Sequence, residues 1–315
     1  MCIRDRVYEA LYKRRIKSFD DMTNISKEVR EKLKQVFSFY KIKMLIKQQG
    51  KNVNKYLFEL EDGNKIESVL MFHDYGTSIC VSSQVGCNMT CAFCESGRLK
   101  KVRNLLAYEI VQQILQIEED INKRITHVVL MGIGEPFDNY DNVLRFVKII
   151  NCGKGIDIGS RHITISTCGV IPGIKKFMNE EGQVNLAISL HAPNNTLRSR
   201  IMPINKAYPL NELMETIKEY INKTNRRVTF EYIMLDNVND SEENAKELAL
   251  LLKGINCYVN LIPYNETENI EFKRTKEWKI MKFYDILKKN KINVTIRKEF
   301  GGSVDAACGQ LRANN

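Results

Sequence analysis

The chain has 315 residues, enough to bury a sizeable core in one large domain or in a domain with an appendage. Hydrophobic residues make up 43% and charged residues 27%, the balance of a soluble globular protein, and no apolar run is long enough to cross a bilayer. Nine cysteines are too few, and their number is odd, for a disulfide-stapled secreted scaffold. These features exclude a membrane-spanning or disulfide-framework protein, and without a signal-peptide pattern we expect a cytoplasmic one.

The formal net charge of +10 is concentrated at the start of the chain. Residues 1–50 hold 13 Lys and Arg against 6 Asp and Glu, which is seven of the ten net positive charges. Clustered positive charge favours a phosphate-rich partner such as nucleic acid. A solvated basic face on a helical segment explains the same count, so charge alone leaves both interpretations open.

Residues 1–50 are predicted to form a small basic helical accessory module. The helical pattern runs from Val7 to about Gln49, with a break at Asp20-Asp21 and a second helix from Ile25 to Phe37. The first six residues enter this pattern without a cap, and we leave them, with Cys2, out of the functional argument. Residues 51–75 predict a β-rich connector with a turn at 61–64.

From residue 76 to residue 315, short apolar runs alternate with helical stretches. Strands are predicted at Ser78–Ser82, His127–Met131, His162–Ser166, Leu186–Leu190, Val228–Met234, Tyr258–Ile262 and Val294–Arg297. Helices are predicted near 107–120, 141–151, 171–179, 210–223, 241–253 and 276–290. This alternation predicts an α/β fold, a parallel sheet with crossover helices that is either open or curled into a partial barrel.

Polar residues follow several of the predicted strands, where ligands bind in such folds. They are Gly134 with Glu135, Ser166, Ser189 with His191, and Asn265. Taken singly, each is more often an ordinary loop residue than a ligand. Gly132-Ile133-Gly134 would let the backbone approach a ligand closely, and Glu135 could bind an ammonium group.

The strongest local motif is a set of three cysteines after the first predicted strand of this region, Cys87, Cys91 and Cys94. Three thiolates within eight residues can surround one inorganic centre, and a cubane iron–sulfur cluster held by three cysteines keeps one iron open. That iron could bind S-adenosylmethionine and deliver an electron to it, chemistry that no side chain performs. The alternatives are unrelated thiols or a zinc site, for which His73 and Cys80 are poorly spaced fourth ligands.

Many separate motifs, in order along residues 7–315, resemble the RlmN/Cfr family of radical S-adenosylmethionine RNA adenine methyltransferases. They are Cys80 to Cys94, Met131-Gly-Ile-Gly-Glu-Pro136, Ile165-Ser-Thr167, Ile188-Ser-Leu-His-Ala-Pro193, Met202-Pro-Ile-Asn-Lys206, Tyr232-Ile-Met-Leu-Asp236, Val238-Asn-Asp240, Asn260-Leu-Ile-Pro-Tyr-Asn265 and Asp305-Ala-Ala-Cys-Gly-Gln-Leu311. The resemblance implies a radical-SAM partial (β/α) barrel over residues 76–315, preceded by an RNA-binding accessory module that is N-terminally truncated relative to the family.

The resemblance also implies cofactors, partners and a set of site residues. The cofactors are a [4Fe-4S] cluster on Cys87, Cys91 and Cys94 and two molecules of S-adenosylmethionine per turnover. The implied cofactor-binding residues are Gly134, Glu135, Ser166, Ser189, Leu190, His191 and Asn265. Expected partners are 23S rRNA, tRNA and an electron donor such as a flavodoxin system, with no membrane partner, and the protein is expected to be a monomer.

Family members first move a methyl group onto a cysteine near the C-terminus, which matches Cys308. Radical chemistry then joins that carbon to an adenine ring carbon, a base matching Glu67 removes the ring proton, and a cysteine matching Cys80 releases the product through a transient disulfide with Cys308. A disulfide requires that folding bring the two thiols together. Without the resemblance, Cys308 would be interpreted as a buried thiol and Glu67 as a surface residue.

Two activities share this scaffold, methylation of adenine at C2 or at C8. The motifs Glu135-Pro136, His191-Ala192-Pro193 and Phe230-Glu231-Tyr232 resemble the C2 branch, and we favour C2. C8 methylation and a non-catalytic, zinc-bearing RNA-binding protein are the alternatives. Cys152, Cys168 and Cys257 match no role and are predicted to be packing thiols.

Overall fold

One large sheet organises the structure, a computed structural model that describes residues 2–297 and 310–311. The strands in chain order are β1 Lys43–Gly50, β2 Val53–Glu59, β3 Lys65–His73, β4 Gly76–Cys80, β5 Gln84–Val85, β6 Arg103–Asn104, β7 His127–Leu130, β8 Ile163–Thr167, β9 Asn185–Ser189, β10 Val228–Met234, β11 Cys257–Pro263 and β12 Val294–Ile296. The large sheet has the order β1-β2-β3-β4-β7-β8-β9-β10-β11-β12, while β5 pairs with β6 in a separate ribbon.

The helices of the described chain are α1 Ile3–Tyr12, α2 Lys27–Val36, α3 Ala107–Ile121, α4 Tyr140–Asn151, α5 Ile171–Phe177, α6 Asn195–Ile201, α7 Leu210–Thr224, α8 Glu242–Leu251 and α9 Glu277–Lys289. From β4 onward the strands of the large sheet run parallel, and helices cross between them. The predicted α/β fold is therefore confirmed. Within the described chain, no helix is both long and apolar enough to span a membrane.

The predicted strands of this parallel part agree with the structure to within two residues at each end, and Val228–Met234 agrees at both ends. These strands read clearly in the sequence because they are buried on both faces and so form nearly continuous apolar runs. Helix α6 was not predicted. It has only seven residues, and three of them are exposed polar or charged residues, so it is too short to show a helical pattern of apolar residues.

The prediction of helix for residues 43–49 is wrong. This segment is strand β1, which pairs antiparallel with β2 from Lys43 opposite Glu59 to Gly50 opposite Val53. The hairpin turns through Asn52, whose φ of 62° is a left-handed conformation that asparagine tolerates well. Because β1 is an edge strand with little buried surface, its sequence lacks the alternation that marks a half-buried strand. The helical part of the accessory module therefore ends at Val36.

The two faces of the β2–β4 region pack against different parts of the molecule. Residues on one face join the main core beneath α3, among them Tyr56, Phe58, Ile66 and Leu70. The opposite face carries a separate apolar cluster, which contains Val53, Val69, Met71, Cys80, Ile133 and Leu311. Since side chains alternate along a strand, this division follows directly from the register of the hairpin.

The N-terminal helices have a small core of their own, formed by Ala10, Phe19, Met22 and Ile25. Polar contacts join this module to the rest of the chain: the Tyr8 hydroxyl donates to the carbonyl oxygen of Ile149 over 2.7 Å, and Lys17 pairs with Glu119 over 2.8 Å. The accessory module is thus attached to the outer helices α3 and α4, away from the cysteine motif.

Candidate active site

A cavity of about 150 Å³ lies at the carboxyl ends of the parallel strands and brings together most of the predicted site residues. Its lining includes Cys87, Cys91, Cys94, Gly134, Glu135, Ser166, Ser189 and His191. Two of the predicted cofactor-binding residues do not line it. Leu190 is fully buried in the core, with its backbone N–H donating to the carbonyl of Glu231, and Asn265 lies in the loop after β11.

The three cysteines sit in one loop that begins after β5. The N–H of Cys87 donates to the carbonyl of Leu99 over 2.9 Å, and the N–H of Cys94 donates to the carbonyl of Cys91 over 3.1 Å, so the loop folds back on itself. Gly86 enters this loop with a φ of +72°, and a Cβ there would lie 2.3 Å from the carbonyl oxygen of Lys100. Glycine is required at this position because only it combines that conformation with that close approach.

Burial raises the pKa of the Cys87 thiol to about 12 and that of Cys91 well above its ordinary value, and the neighbouring thiols add to both shifts. Thiols in this environment keep their protons until a metal centre displaces them.

Three thiols in one cavity are the donor set that a cubane iron–sulfur cluster takes, each thiolate binding a different iron. No three His, Cys, Asp or Glu side chains in residues 2–297 and 310–311 come close enough to hold a single metal ion. Neither His73 nor Cys80, the weakly spaced zinc ligands, lines the cavity. The residues present therefore fit the cluster.

Glycines bring the backbone after β7 close to the cysteine loop. Gly134 has a φ of +105°, and a Cβ there would lie 2.6 Å from the Cβ of Gln84, while a Cβ on Gly132 would lie 2.6 Å from the carbonyl oxygen of Val81. The side-chain oxygen of Gln84 accepts a hydrogen bond from the N–H of Glu135 over 2.8 Å. The backbone at this point thus forms a tight, fixed wall of the cavity.

Glu135 is almost completely buried at this wall. Its Oε1 accepts from the N–H of Phe137 over 3.0 Å, and its Oε2 accepts from the N–H of Cys168 over 2.8 Å. Burial raises the pKa of Glu135, and these hydrogen bonds oppose that shift. Each oxygen has a second lone pair, so the carboxylate can still accept from an ammonium group in the cavity.

His191 has a left-handed backbone, with a φ of 60°, at the point where the chain leaves β9. Its Nδ1 accepts from the N–H of Ile233 over 3.0 Å, so the ring proton lies on Nε2. Burial lowers the pKa of His191 to about 3, which keeps the imidazole neutral at physiological pH. The ring of Phe93, from the cysteine motif, packs edge-on against it with centroids 4.9 Å apart. His191 is therefore held as a neutral donor beside the cysteine loop.

Three residues in or beside the cavity have roles that the sequence argument missed. Glu231 lines the cavity and is 4% exposed; its Oε1 accepts from the amide of Asn260 over 2.9 Å, and its Oε2 lies 3.8 Å from Arg297. Cys168 also lines the cavity, although it was predicted to be only a packing thiol. An acidic residue inside the apolar run of β10 was the available signal for Glu231.

Arg198, the third, is fully buried beside the cavity and ties two strand ends together. Its guanidinium donates to the carbonyl oxygens of Cys168 over 2.6 Å and Leu190 over 3.2 Å, and to the side-chain oxygen of Asn205 over 2.9 Å. These bonds fix the ends of β8 and β9, where Ser166 and Ser189 line the cavity. Its buried charge is therefore a structural support for the site.

Glu67 and Cys80 lie on one face of the β2–β4 region. Val69 of β3 pairs with Lys55 of β2 and with Cys80 of β4, so these three side chains point to the same side of the sheet. Glu67 precedes Val69 by two residues on β3, and its side chain therefore points to that side as well. The ammonium Nζ of Lys55 lies 2.9 Å from Oε1 of Glu67. Glu67 is only 4% exposed, so it is not the surface residue that it would be taken for without the family resemblance.

Cys308 lies outside the described residues, but residues on both sides of it reach the site. Arg297 lines the cavity, and Leu311 packs in the apolar cluster that contains Cys80. The Ser96 hydroxyl, two residues after Cys94, donates to the carbonyl oxygen of Leu311 over 2.6 Å. The chain thus approaches the cysteine loop and the Cys80 face just before and just after the segment that carries Cys308.

Two family models match the chain. The model of the radical SAM superfamily matches residues 81–249, more than half of the chain, and the model described as the ribosomal RNA large subunit methyltransferase N-terminal domain matches residues 5–39. The first match contains the cysteine loop and strands β7 to β10, whose carboxyl ends line the cavity. The second covers helices α1 and α2.

Relatives similar to the chain over nearly its whole length carry the name "Probable dual-specificity RNA methyltransferase RlmN". One from Spiroplasma citri is 56% identical over 99% of this chain and 91% of its own length, and one from Streptococcus thermophilus is 55% identical over 98% and 82%. Among solved structures, a radical SAM methyltransferase from Sphaerobacter thermophilus has a TM-score of 0.93 and 41% identity, and covers 98% of this chain and 92% of its own.

Membership of the superfamily brings with it a [4Fe-4S] cluster and S-adenosylmethionine, and the three thiols that line the cavity are the donor set that such a cluster takes. At more than half identity over almost the entire chain, the RlmN relatives define the family more narrowly. This chain belongs to the radical SAM superfamily and, within it, to the RlmN family of dual-specificity RNA methyltransferases.

Proposed function

We propose that this chain methylates carbon 2 of adenine in 23S rRNA and in tRNA through an S-methylated Cys308. The RlmN relatives carry RNA methylation in their name, and the basic N-terminal module suits a phosphate-rich partner. The observation that carries the proposal is the arrangement around Cys80: Glu67 shares its face of the sheet, and Leu311, three residues after Cys308, packs in the same apolar cluster.

Cys87, Cys91 and Cys94 would hold the cluster, and residues at the strand ends would hold S-adenosylmethionine. The latter are Gly134, Glu135, Ser166, Ser189, Leu190, His191 and Asn265. Leu190 and Asn265 do not line the cavity and are included because they match the family's motifs. When bound, these groups supply the one-electron chemistry that removes a hydrogen atom from the methyl group on Cys308. The burial of the site excludes water from that reaction.

The remaining steps belong to side chains of the protein. After the methyl carbon has bonded to carbon 2, the adduct holds one unpaired electron, which the bound cluster would accept. The Glu67 carboxylate accepts the ring proton, and the electron pair of that C–H bond stays with the ring. The Cys80 thiolate then attacks the sulfur of Cys308; an S–S bond forms, the bond from sulfur to the methyl carbon breaks, and the carbon takes up a proton. An external dithiol reduces the Cys80–Cys308 disulfide by two electrons before the next turnover.

This chemistry determines the form of RNA and the electron donor that the reaction needs. The substrate adenine must leave its stack to reach a cavity inside the fold, so single-stranded or loop RNA is the expected form. A one-electron donor such as a flavodoxin system must reach the cluster, and we place the protein in the cytoplasm as a monomer. Methylation at C8 is the second candidate; the Glu231 carboxylate in the cavity, an acidic residue typical of the C2 branch, favours C2.

Peptide mass spectrometry tests the proposal. After anaerobic reconstitution and incubation with S-adenosylmethionine, the peptide that contains Cys308 should gain the mass of one methylene group, whereas peptides with Cys152 or Cys257 should not. The Cys308→Ala variant should carry no added methyl and should leave RNA unmodified. A wild-type protein that methylates RNA without ever carrying a methyl on Cys308 contradicts the proposed route.

A further inference from the structure

Lys55 and Glu67 form an ion pair that is almost completely withdrawn from water. The Nζ–Oε1 distance is 2.9 Å, and the two side chains are 10% and 5% exposed. The neighbouring cross-strand pair of Lys43 with Glu59 differs sharply, with 71% and 32% of the side chains exposed. Burying two charges costs several kcal/mol of desolvation, so apolar side chains of similar volume often stabilise a fold at least as well. Stability alone therefore does not account for this pair.

The pair lies beside Cys80 on the face that carries the cluster of Val53, Val69, Met71, Ile133 and Leu311. Lys55 and Cys80 both stand opposite Val69 in the strand register. The titratable residues that face this side from β2, β3 and β4 are Lys55, Glu59, Lys65, Glu67, His73 and Cys80. Among them, Lys55 forms an ion pair with Glu67.

We propose that Lys55 is the positioning residue of this reaction: its ammonium group holds the Glu67 carboxylate in one orientation for removal of the adenine proton. The proposal rests on the proposed function, in which Glu67 is the base. The 2.9 Å ion pair restricts rotation of the carboxylate, and a base acts only when its oxygen lies within hydrogen-bond reach of the proton that it takes. During the step one proton moves from carbon 2 to a Glu67 oxygen.

Loss of the Lys55 ammonium group should therefore slow the step in which Glu67 acts and leave the earlier S-methylation of Cys308 unchanged. Lys55→Met removes the group that fixes the carboxylate, so the Glu67 oxygens lie within reach of the ring proton for a smaller part of the time. Lys55→Arg keeps the charge and should restore most of the rate.

The experiment compares wild type, Lys55→Met, Lys55→Gln, Lys55→Arg and the matched control Lys43→Met, which removes the exposed lysine of the neighbouring pair. Single-turnover formation of methylated adenine is followed, with S-methylation of Cys308 measured separately because it precedes the Glu67 step. We expect a loss of about 10²-fold in Lys55→Met and Lys55→Gln, and recovery of most of the rate in Lys55→Arg. S-methylation should be unchanged in all variants, and Lys43→Met should match wild type.

A wild-type rate in Lys55→Gln overturns the proposal, as does a loss that Lys55→Arg does not repair. The glutamine of Lys55→Gln can still donate a hydrogen bond to the buried carboxylate, so this variant should fold. If Lys55→Met does not fold, the result with Lys55→Gln decides the test. Failure of the proposed function looks different: wild-type protein would then yield neither S-methylated Cys308 nor methylated adenine.

Discussion

Replacing Cys91 with serine is expected to abolish iron and sulfide binding and to reduce RNA methylation to background. Cys91 lies between the other two thiols in the loop, and all three line one cavity. A cluster held by three cysteines has no spare protein ligand, and a hydroxyl group is a poor substitute for a thiolate. Iron and sulfide analysis after anaerobic reconstitution, with the visible absorption of the protein, measures the effect.

Cys152→Ser is the matched control, because Cys152 follows α4 and does not line the cavity. It should retain wild-type iron, sulfide and methylation. A Cys91→Ser protein with full iron and sulfide content would show that the loop is not the cluster site. A wild-type protein that stays colourless and holds only zinc would favour the RNA-binding alternative.

The second large effect is expected from Cys80→Ala, which should trap a covalent complex between protein and RNA. Cys80 is 8% exposed, lies on the face that carries Glu67, and packs in a cluster with Leu311. Without its thiolate, nothing attacks the sulfur of Cys308, so the bond between that sulfur and the methylated adenine persists. Product release should fall to background while the complex accumulates to about one RNA per protein, seen as a shifted band under denaturing conditions.

Cys257→Ala provides the control for this variant, since Cys257 is equally buried but begins β11, at the opposite end of the parallel strands from the cavity. It should form no trapped complex and should release product. Free turnover by Cys80→Ala would remove Cys80 from the reaction, and loss of the trapped band in Cys80→Ala/Cys308→Ala would identify Cys308 as the attachment point.

Much of the fold could be predicted because the buried parallel strands have strong sequence signals. Strand β1 could not, since its pairing with β2 is a tertiary contact and its exposed side chains follow no period of two. The cysteine loop and the strand-end residues Ser166, Ser189 and His191 were predicted to meet because carboxyl ends of parallel strands share one edge. In the structure these residues line one cavity.

Glu67 and Cys80 lie on the same face only because of the pairing register of strands β3 and β4. The spacing of the two residues in the sequence does not reveal that register. Glu67 and Cys80 are 13 positions apart on strands β3 and β4, and a shift of one residue in either pairing would turn one of them to the opposite face. Nothing in the sequence indicated that Lys55 is buried or close to the site, because a lysine in a strand is usually exposed. The family resemblance supplied roles for Glu67 and Cys80, while the structure supplied the ion pair that links Glu67 to Lys55.

The most direct test of the account is to identify the carbon that is methylated. Reconstituted protein is incubated under reducing, anaerobic conditions with S-adenosylmethionine and either 23S rRNA fragments or tRNA, and the digested nucleosides are separated and compared with 2-methyladenosine and 8-methyladenosine standards. The account predicts 2-methyladenosine from both RNAs. Formation of 8-methyladenosine, or RNA left unmodified by a protein that carries a complete cluster, would contradict it.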